Sequence, residues 1–284
     1  MLWVAHYNSE DLGRLDLNSG QYTVRRLKNP VDGSPLEPEH LSLGQGGQVF
    51  VFATSGDLLN VQGEVVKRFG SKFSRYEDIL ISPSGQWVLS PLKLQQFDSR
   101  GKAVKTVQLW VPDAANNPHL TAFAPDFRSL FSFNLDESFT QWNLQTAKRM
   151  RRFGNADGIP RQAVPSQLRV SRDGRYFVTA LNNGRITLWN ARSGKRLTDW
   201  RELEVANYDG CCYDATYEVQ VSLDGRYVVA STNQGAAIFD IVTKRAVARF
   251  DLNGALVTAF AFHPNNNRLY VATGDGVIRQ YSWR

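Results

Sequence analysis

Short runs of alternating apolar and polar residues recur along the chain, separated by clusters rich in Ser, Asp, Asn and Gly. The stretch VSRDGRYFVTALNNGRITLWNARSGKRL, from Val170 to Leu197, shows the unit most clearly. The polar cluster Ser171-Arg172-Asp173-Gly174 precedes an alternating run from Tyr176 to Ala180. Asn182-Asn183-Gly184 marks a tight turn, and a second run, Arg185 to Trp189, leads to Asn190. Arg192-Ser193-Gly194 then precedes a third run. A period of two predicts strands, because successive side chains point to opposite faces of a sheet. Asn-Gly and Asp-Gly predict hairpin turns, because these residues tolerate positive φ. The repeats show no helical period, and all-β structure is expected.

The same grammar returns elsewhere. Ser222-Leu223-Asp224-Gly225 precedes RYVVAST, Ser82-Pro83-Ser84-Gly85 precedes QWVLS, Ala124-Pro125-Asp126 precedes SLFSFNL, and His263-Pro264-Asn265-Asn266 precedes RLYVATG. A bulky residue closes the second of these runs, the third strand of each repeat: Leu15, Leu59, Phe97, Trp142, Trp189, Phe239 and Tyr281, at intervals of 38 to 50 residues. In six of the seven the next residue is acidic or its amide: Asp16, Asn60, Asp98, Asn143, Asn190 and Asp240. A fixed period of this length is the mark of a repeat architecture.

The pattern of polar turn, strand, Asp-Gly turn, strand ending in Trp-Asn, then turn and outer strand resembles the WD40 repeat, and it covers essentially the whole chain. The match is degenerate: no Trp-Asp pair is present, and only His40 and His119 sit near the position of the usual Gly-His. The hydrogen-bond network of regular repeats is therefore not assumed. The resemblance implies a single β-propeller over residues 1–284, with about seven four-stranded blades. A blade cannot bury both faces alone, so blades stack around an axis. The first repeat reads as three strands without an inner one, and the last as three without an outer one. If Tyr22–Leu27 instead completes the last blade, the number is six. A partner strand added to the open edge is one way to complete a blade.

Composition narrows the class. No apolar run of about 18 residues occurs, so no membrane-spanning helix is expected. The start, Met1-Leu2-Trp3-Val4-Ala5-His6-Tyr7, does not read as a secretory signal. The two cysteines, Cys211-Cys212, are adjacent and poorly placed for a disulfide, which favours a reducing cytoplasm. The four histidines lack metal-ligand spacing, no phosphate-binding loop or nucleophile elbow appears, and no cofactor is expected. The net charge of +6 makes an anionic partner worth testing.

Two surfaces are candidates. With the strand order of the resembled family, the long connections Lys28–Gly47, Pro112–His119, Gly154–Gln167 and Asp199–Thr216 share one face. They hold ten acidic residues against three basic ones. This face is the expected protein-binding site, through His119, Asp157, Arg161, Trp200, Tyr208, Asp209, Tyr213 and Asp214. The aromatic residues there suit interface anchors, or caps on a blade edge. The opposite face and outer rim gather the cations. Lys148, Arg149, Arg151, Arg152, Lys195 and Arg196 are the expected anion-binding residues, set against the alternative that charged residues merely protect edge strands. The leading expectation is a non-catalytic protein-interaction scaffold or complex subunit. The alternative is a nucleic-acid-associated subunit using the basic rim. An enzyme with an axial site ranks third.

Overall fold

In the computed structural model, the described residues are 1–5, 9–29, 32–53 without 44–48, 56–69, 80–82, 84, 86–90, 93–100, 102–108, 118–124, 128–134, 138–146, 148–153, 165–181, 184–201, 218–232, 234–263 and 268–283. They form seven antiparallel sheets, each strand paired with its sequence neighbour. The chain divides into two compact units, Met1–Pro112 and Asp113–Arg284.

The first unit holds three sheets. Sheet 1 contains β1 (Leu2–Ala5), β2 (Asp11–Leu15) and β3 (Tyr22–Arg26). Sheet 2 contains β4 (Pro38–Leu43), β5 (Val49–Ala53), β6 (Asp57–Asn60) and β7 (Val65–Arg68). Sheet 3 contains β8 (Leu80–Ile81), β9 (Trp87–Ser90), β10 (Lys93–Phe97) and β11 (Ala103–Gln108).

The second unit holds four. Sheet 4 contains β12 (Pro118–Phe123), β13 (Ser129–Asn134), β14 (Phe139–Asn143) and β15 (Lys148–Phe153). Sheet 5 contains β16 (Pro165–Val170), β17 (Tyr176–Leu181), β18 (Ile186–Asn190) and β19 (Arg196–Trp200). Sheet 6 contains β20 (Glu218–Val221), β21 (Tyr227–Thr232), β22 (Gly235–Asp240) and β23 (Arg245–Phe250). Sheet 7 contains β24 (Val257–Phe262), β25 (Arg268–Thr273) and β26 (Ile278–Ser282).

The described strands form five four-stranded sheets and two three-stranded ones, the first and the last, where the sequence reads as three strands each. Only three alternating runs precede Leu27, and only three follow Leu252. Residues 22–26 pair with β2 inside sheet 1, and the described strands form seven sheets. Among the described residues no helix is long and apolar enough to cross a membrane.

The cores lie between neighbouring sheets, and the second strands β5, β17 and β21 each serve two of them. In β17, Phe177 and Leu181 pack toward sheet 4 with Phe133 and Phe139, while Val178 and Ala180 pack toward sheet 6 with Val219 and Phe239. In β5, Phe50 and Phe52 join Val88 and Phe97 of sheet 3, while Val51 and Ala53 join Leu12 of sheet 1. This double burial explains why the second strands read VFVFA, YFVTAL and YVVAST rather than alternating cleanly. Each fully buried Phe or Leu side chain contributes about 2 kcal/mol.

The bulky residue that closes the third strand sits in this packing. Trp142 donates its indole N–H to Ser132 Oγ at 3.0 Å, and Trp189 donates to Thr179 Oγ1 at 3.0 Å. Ser132 and Thr179 each lie two residues beyond the cross-strand partner of their tryptophan, Leu130 and Phe177. Where the closing residue is Leu59, Phe239 or Tyr281, the same position holds Ala53, Ala230 or Val271. Hydroxyl follows indole, and an aliphatic group follows a side chain with no donor at that point. Among the described residues this indole-to-hydroxyl bond is present in sheets 4 and 5.

This arrangement makes a prediction. Thr179→Val leaves a buried indole N–H without an acceptor and is expected to cost about 1–3 kcal/mol. In a Trp189→Phe background the same change should cost much less, because the donor is gone. Denaturant midpoints of the four variants measure the coupling, and additive losses would refute the role given to this bond.

Candidate interaction face

Strand order places the turns between first and second strands, and between third and outer strands, at one end of every sheet. The turn after the third strand is built by the residue that follows the bulky one. Asp16 accepts the amides of Asn18 and Ser19 at 2.8 and 3.1 Å. Asn60 accepts those of Gln62 and Glu64, Asp98 those of Arg100 and Lys102, and Asp240 those of Val242 and Thr243, all between 2.8 and 3.0 Å. Asn143 and Asn190 accept one each, from Thr146 and Ser193, at 2.8 Å. Asp and Asn stand here because a short side-chain acceptor satisfies turn amides that the ladder leaves open.

The first turn uses a buried serine. Tyr176 N–H donates to Ser171 Oγ, and Ser171 donates to Asp173 Oδ1 at 2.7 Å. Ser222 repeats the arrangement with Tyr227 and Asp224, and Ser82 Oγ receives the amide of Trp87. His263 occupies the corresponding turn in sheet 7, where its amide donates to Arg268 O.

The electrostatics follow from these contacts. The Ser19 amide lowers the pKa of Asp16, and the Lys102 amide lowers that of Asp98. Burial alone would raise Asp240, but the amides of Thr243 and Val242 and the Arg226 guanidinium outweigh it, and its pKa falls. Asp275 is lowered to about 2 by the Thr273 hydroxyl and Arg279.

Neighbouring sheets are tied at this end by side chains of the outer strands. Arg25 in β3 donates to Val61 O in the next sheet, and Lys67 in β7 donates to Phe97 O, each at 3.5 Å. Arg151 in β15 bonds Gln141 Oε1 at 2.7 Å, Ala191 O at 2.6 Å, and Arg192 O. Trp200 in β19 stacks on Phe239, with ring centres 4.8 Å apart, and donates its indole N–H to Lys244 O at 3.0 Å.

These contacts redistribute the residues expected from sequence to bind partners. Trp200 is 2% exposed. Its side chain belongs to the packing between sheets 5 and 6, the edge-capping alternative, and is not presented to a partner. His119 is the extra residue of a register shift in β12, between Pro118 and Leu120; its side chain lies outside the described residues. Asp157, Arg161, Tyr208, Asp209, Tyr213 and Asp214 also lie outside them.

The basic run from Lys148 to Arg152 is not one patch, because a strand rises about 3.3 Å per residue and alternates its faces. Lys148 and Arg149 are exposed at the turn end, Arg151 is the clamp, and Arg152 reaches Ser138 Oγ near the other end of the sheet. Arg196 pairs with Asp199 at 3.4 Å, and Lys195 is exposed. Asp199 also holds the buried Arg185 at 2.6 Å, so it is not a free acid of the connecting face. Sequence reasoning missed Arg172 and Arg192, exposed beside Asp173 and Ser193 in their turns. The signal was their place next to turn residues.

The first strands of sheets 5 and 6 bring Arg169 and Glu218 together at 2.9 Å. Among the described residues no group of three or more His, Cys, Asp or Glu could hold a metal ion.

The fold and its turns define a class: an all-β repeat protein built of propeller-type blades. Residues 246–282 match the family described as WD domain, G-beta repeat. The match begins in β23 and ends in β26, so it takes in an outer strand and the three strands of the next sheet. WD repeat-containing protein 44 of Xenopus laevis is 24% identical over 162 residues, 55% of this chain and 17% of that protein. The chain thus spans about a sixth of that relative's length. The repeat and these matches make the chain similar to proteins of the WD40-repeat family.

Two predictions concern this end of the sheets. Arg151→Met removes the clamp and is expected to cost about 1–2 kcal/mol, whereas Arg149→Met should change stability by less than about 0.5. Equal effects on the denaturant midpoint would contradict the division drawn between them.

Asp240 has a folded pKa below its unfolded value of 3.8, so its contribution is present above that value and lost as pH falls below it. Asp240→Asn keeps the turn acceptor and removes the charge. The stability difference between the two proteins should be constant above about pH 5 and shrink below about pH 4. A difference flat throughout acid titration would overturn the assignment.

Proposed function

We propose that the chain is a non-catalytic interaction scaffold, a subunit that holds protein partners on the exposed ends of its sheets. WD40 repeats generally mediate protein–protein scaffolding. The observation that carries the reading here is the use made of the chemistry-bearing groups. Every described carboxylate with a shifted pKa is shifted downward, and each is engaged by turn amides, hydroxyls or arginine. A general acid would need the opposite shift. Sheets clamped to one another offer a preorganised surface, which limits the ordering cost of association.

The test is affinity capture with the tagged full chain from its native lysate, with and without nuclease, at low and high salt. Partners retained in fixed stoichiometry after nuclease and salt are the expected result. Retention that disappears with nuclease would favour the nucleic-acid alternative, and no retention at all would overturn the scaffold reading.

A further inference from the structure

The turn end of sheets 4 to 6 carries positive charge that the fold does not consume. Arg175 is held by Asp173, Arg226 by Asp240, and Lys244 donates to Leu197 O. By contrast Lys148, Arg149, Arg172, Arg192, Lys195 and Arg245 are exposed, with no ion-pair partner among the described residues. Three contacts hold these turns side by side. Arg151 bonds the carbonyls of Ala191 and Arg192, which brings β15 against the turn of sheet 5. Lys244 reaches β19 from the turn of sheet 6. Gly225, at φ +68, lies so close to Asp173 that a Cβ there would come within 3.1 Å of the carboxylate. The unspent cations therefore lie along one continuous row of turns.

Apolar groups sit among them. Val242 is 76% exposed and Leu223 is 41% exposed, both in turns of sheet 6. No exposed aromatic residue stands on this row among the described residues. Binding of single-stranded nucleic acid rests on cations together with aromatic stacking platforms. Aliphatic side chains between cations fit a ligand that alternates carboxylates with apolar groups.

We propose that this row of turns is a docking surface for an acidic peptide segment of a protein partner, with aliphatic residues set between its carboxylates. The inference rests on the scaffold reading and names its partner chemistry. The cations supply attraction and approach rate, and Val242 and Leu223 supply desolvated contact that discriminates against a uniformly charged polymer.

The test is fluorescence anisotropy on the full chain at about 0.1 M salt, where surface charges still act over roughly 10 Å. The probes are a labelled peptide of repeated Glu-Glu-Leu, polyglutamate of equal length, and oligothymidylate. The Glu-Glu-Leu peptide should bind most tightly. The triple reversal Lys148→Glu, Lys195→Glu, Arg245→Glu should weaken it about tenfold or more, and the Gln versions by a smaller factor. Val242→Ser should weaken this peptide about threefold and leave polyglutamate unchanged. The altered side chains are exposed and unpartnered, so melting temperatures should stay within a few degrees, and the Gln set serves if the Glu set does not fold.

Absence of peptide binding, insensitivity to the reversals, or tighter binding of oligothymidylate would each overturn the inference. In the affinity capture, partners unaffected by the triple reversal would sink this inference and leave the scaffold reading standing. Loss of all partners from the unaltered chain would sink the scaffold reading itself.

Discussion

The contact on which the rest of this structure depends is the one between a short side-chain acceptor and the amides of the turn after each third strand. Six sheets use it, with Asp or Asn in every case. The acceptor fixes where the third strand ends and where the outer strand begins. In five sheets the register then slips by one residue at the bulky closing position, and the extra residue is Val66, Val104, Met150, Leu197 or Val247. Four of these five are among the most exposed large apolar side chains of the chain. A bulge bends and twists an outer strand, which blunts its open edge against unwanted strand pairing. Turn, bulge and edge protection are thus consequences of one local hydrogen-bonding rule.

The second constraint is packing between sheets: the second strands β5, β17 and β21 are buried on both sides, so these sheets depend on their neighbours, as expected of a repeat array. That demand extends to the polar groups. Arg25, Lys67 and Arg151 satisfy carbonyls of the following sheet, and Trp200 does so while filling the gap with its ring.

Function in such a molecule lies in what the packing leaves over. Among the described residues, the carboxylates with shifted pKa are spent on turns and ion pairs, and part of the positive charge is spent on clamps. What remains exposed is a row of cations and a few aliphatic groups at the turn ends of adjacent sheets.

By itself the sequence determined the repeat, the strands and the turn chemistry. These are local: alternation reports the pleat, and an Asp or Asn after a bulky residue reports a turn within four residues. Even the pairing of Trp142 with Ser132 and Trp189 with Thr179 was present as a spacing, although it became visible only once the register was known. Only the tertiary structure decided which cations are free. Arg149 and Arg151 are indistinguishable in composition and differ by two positions. One faces solvent, and the other meets a carbonyl some forty residues further along the chain. Trp200 likewise read as an interface anchor or an edge cap, and only the packing of sheets 5 and 6 shows its ring buried between them. The reason is physical: period-two alternation tells which face of a strand a side chain takes, but what waits on that face belongs to a different repeat, brought there by the stacking of sheets.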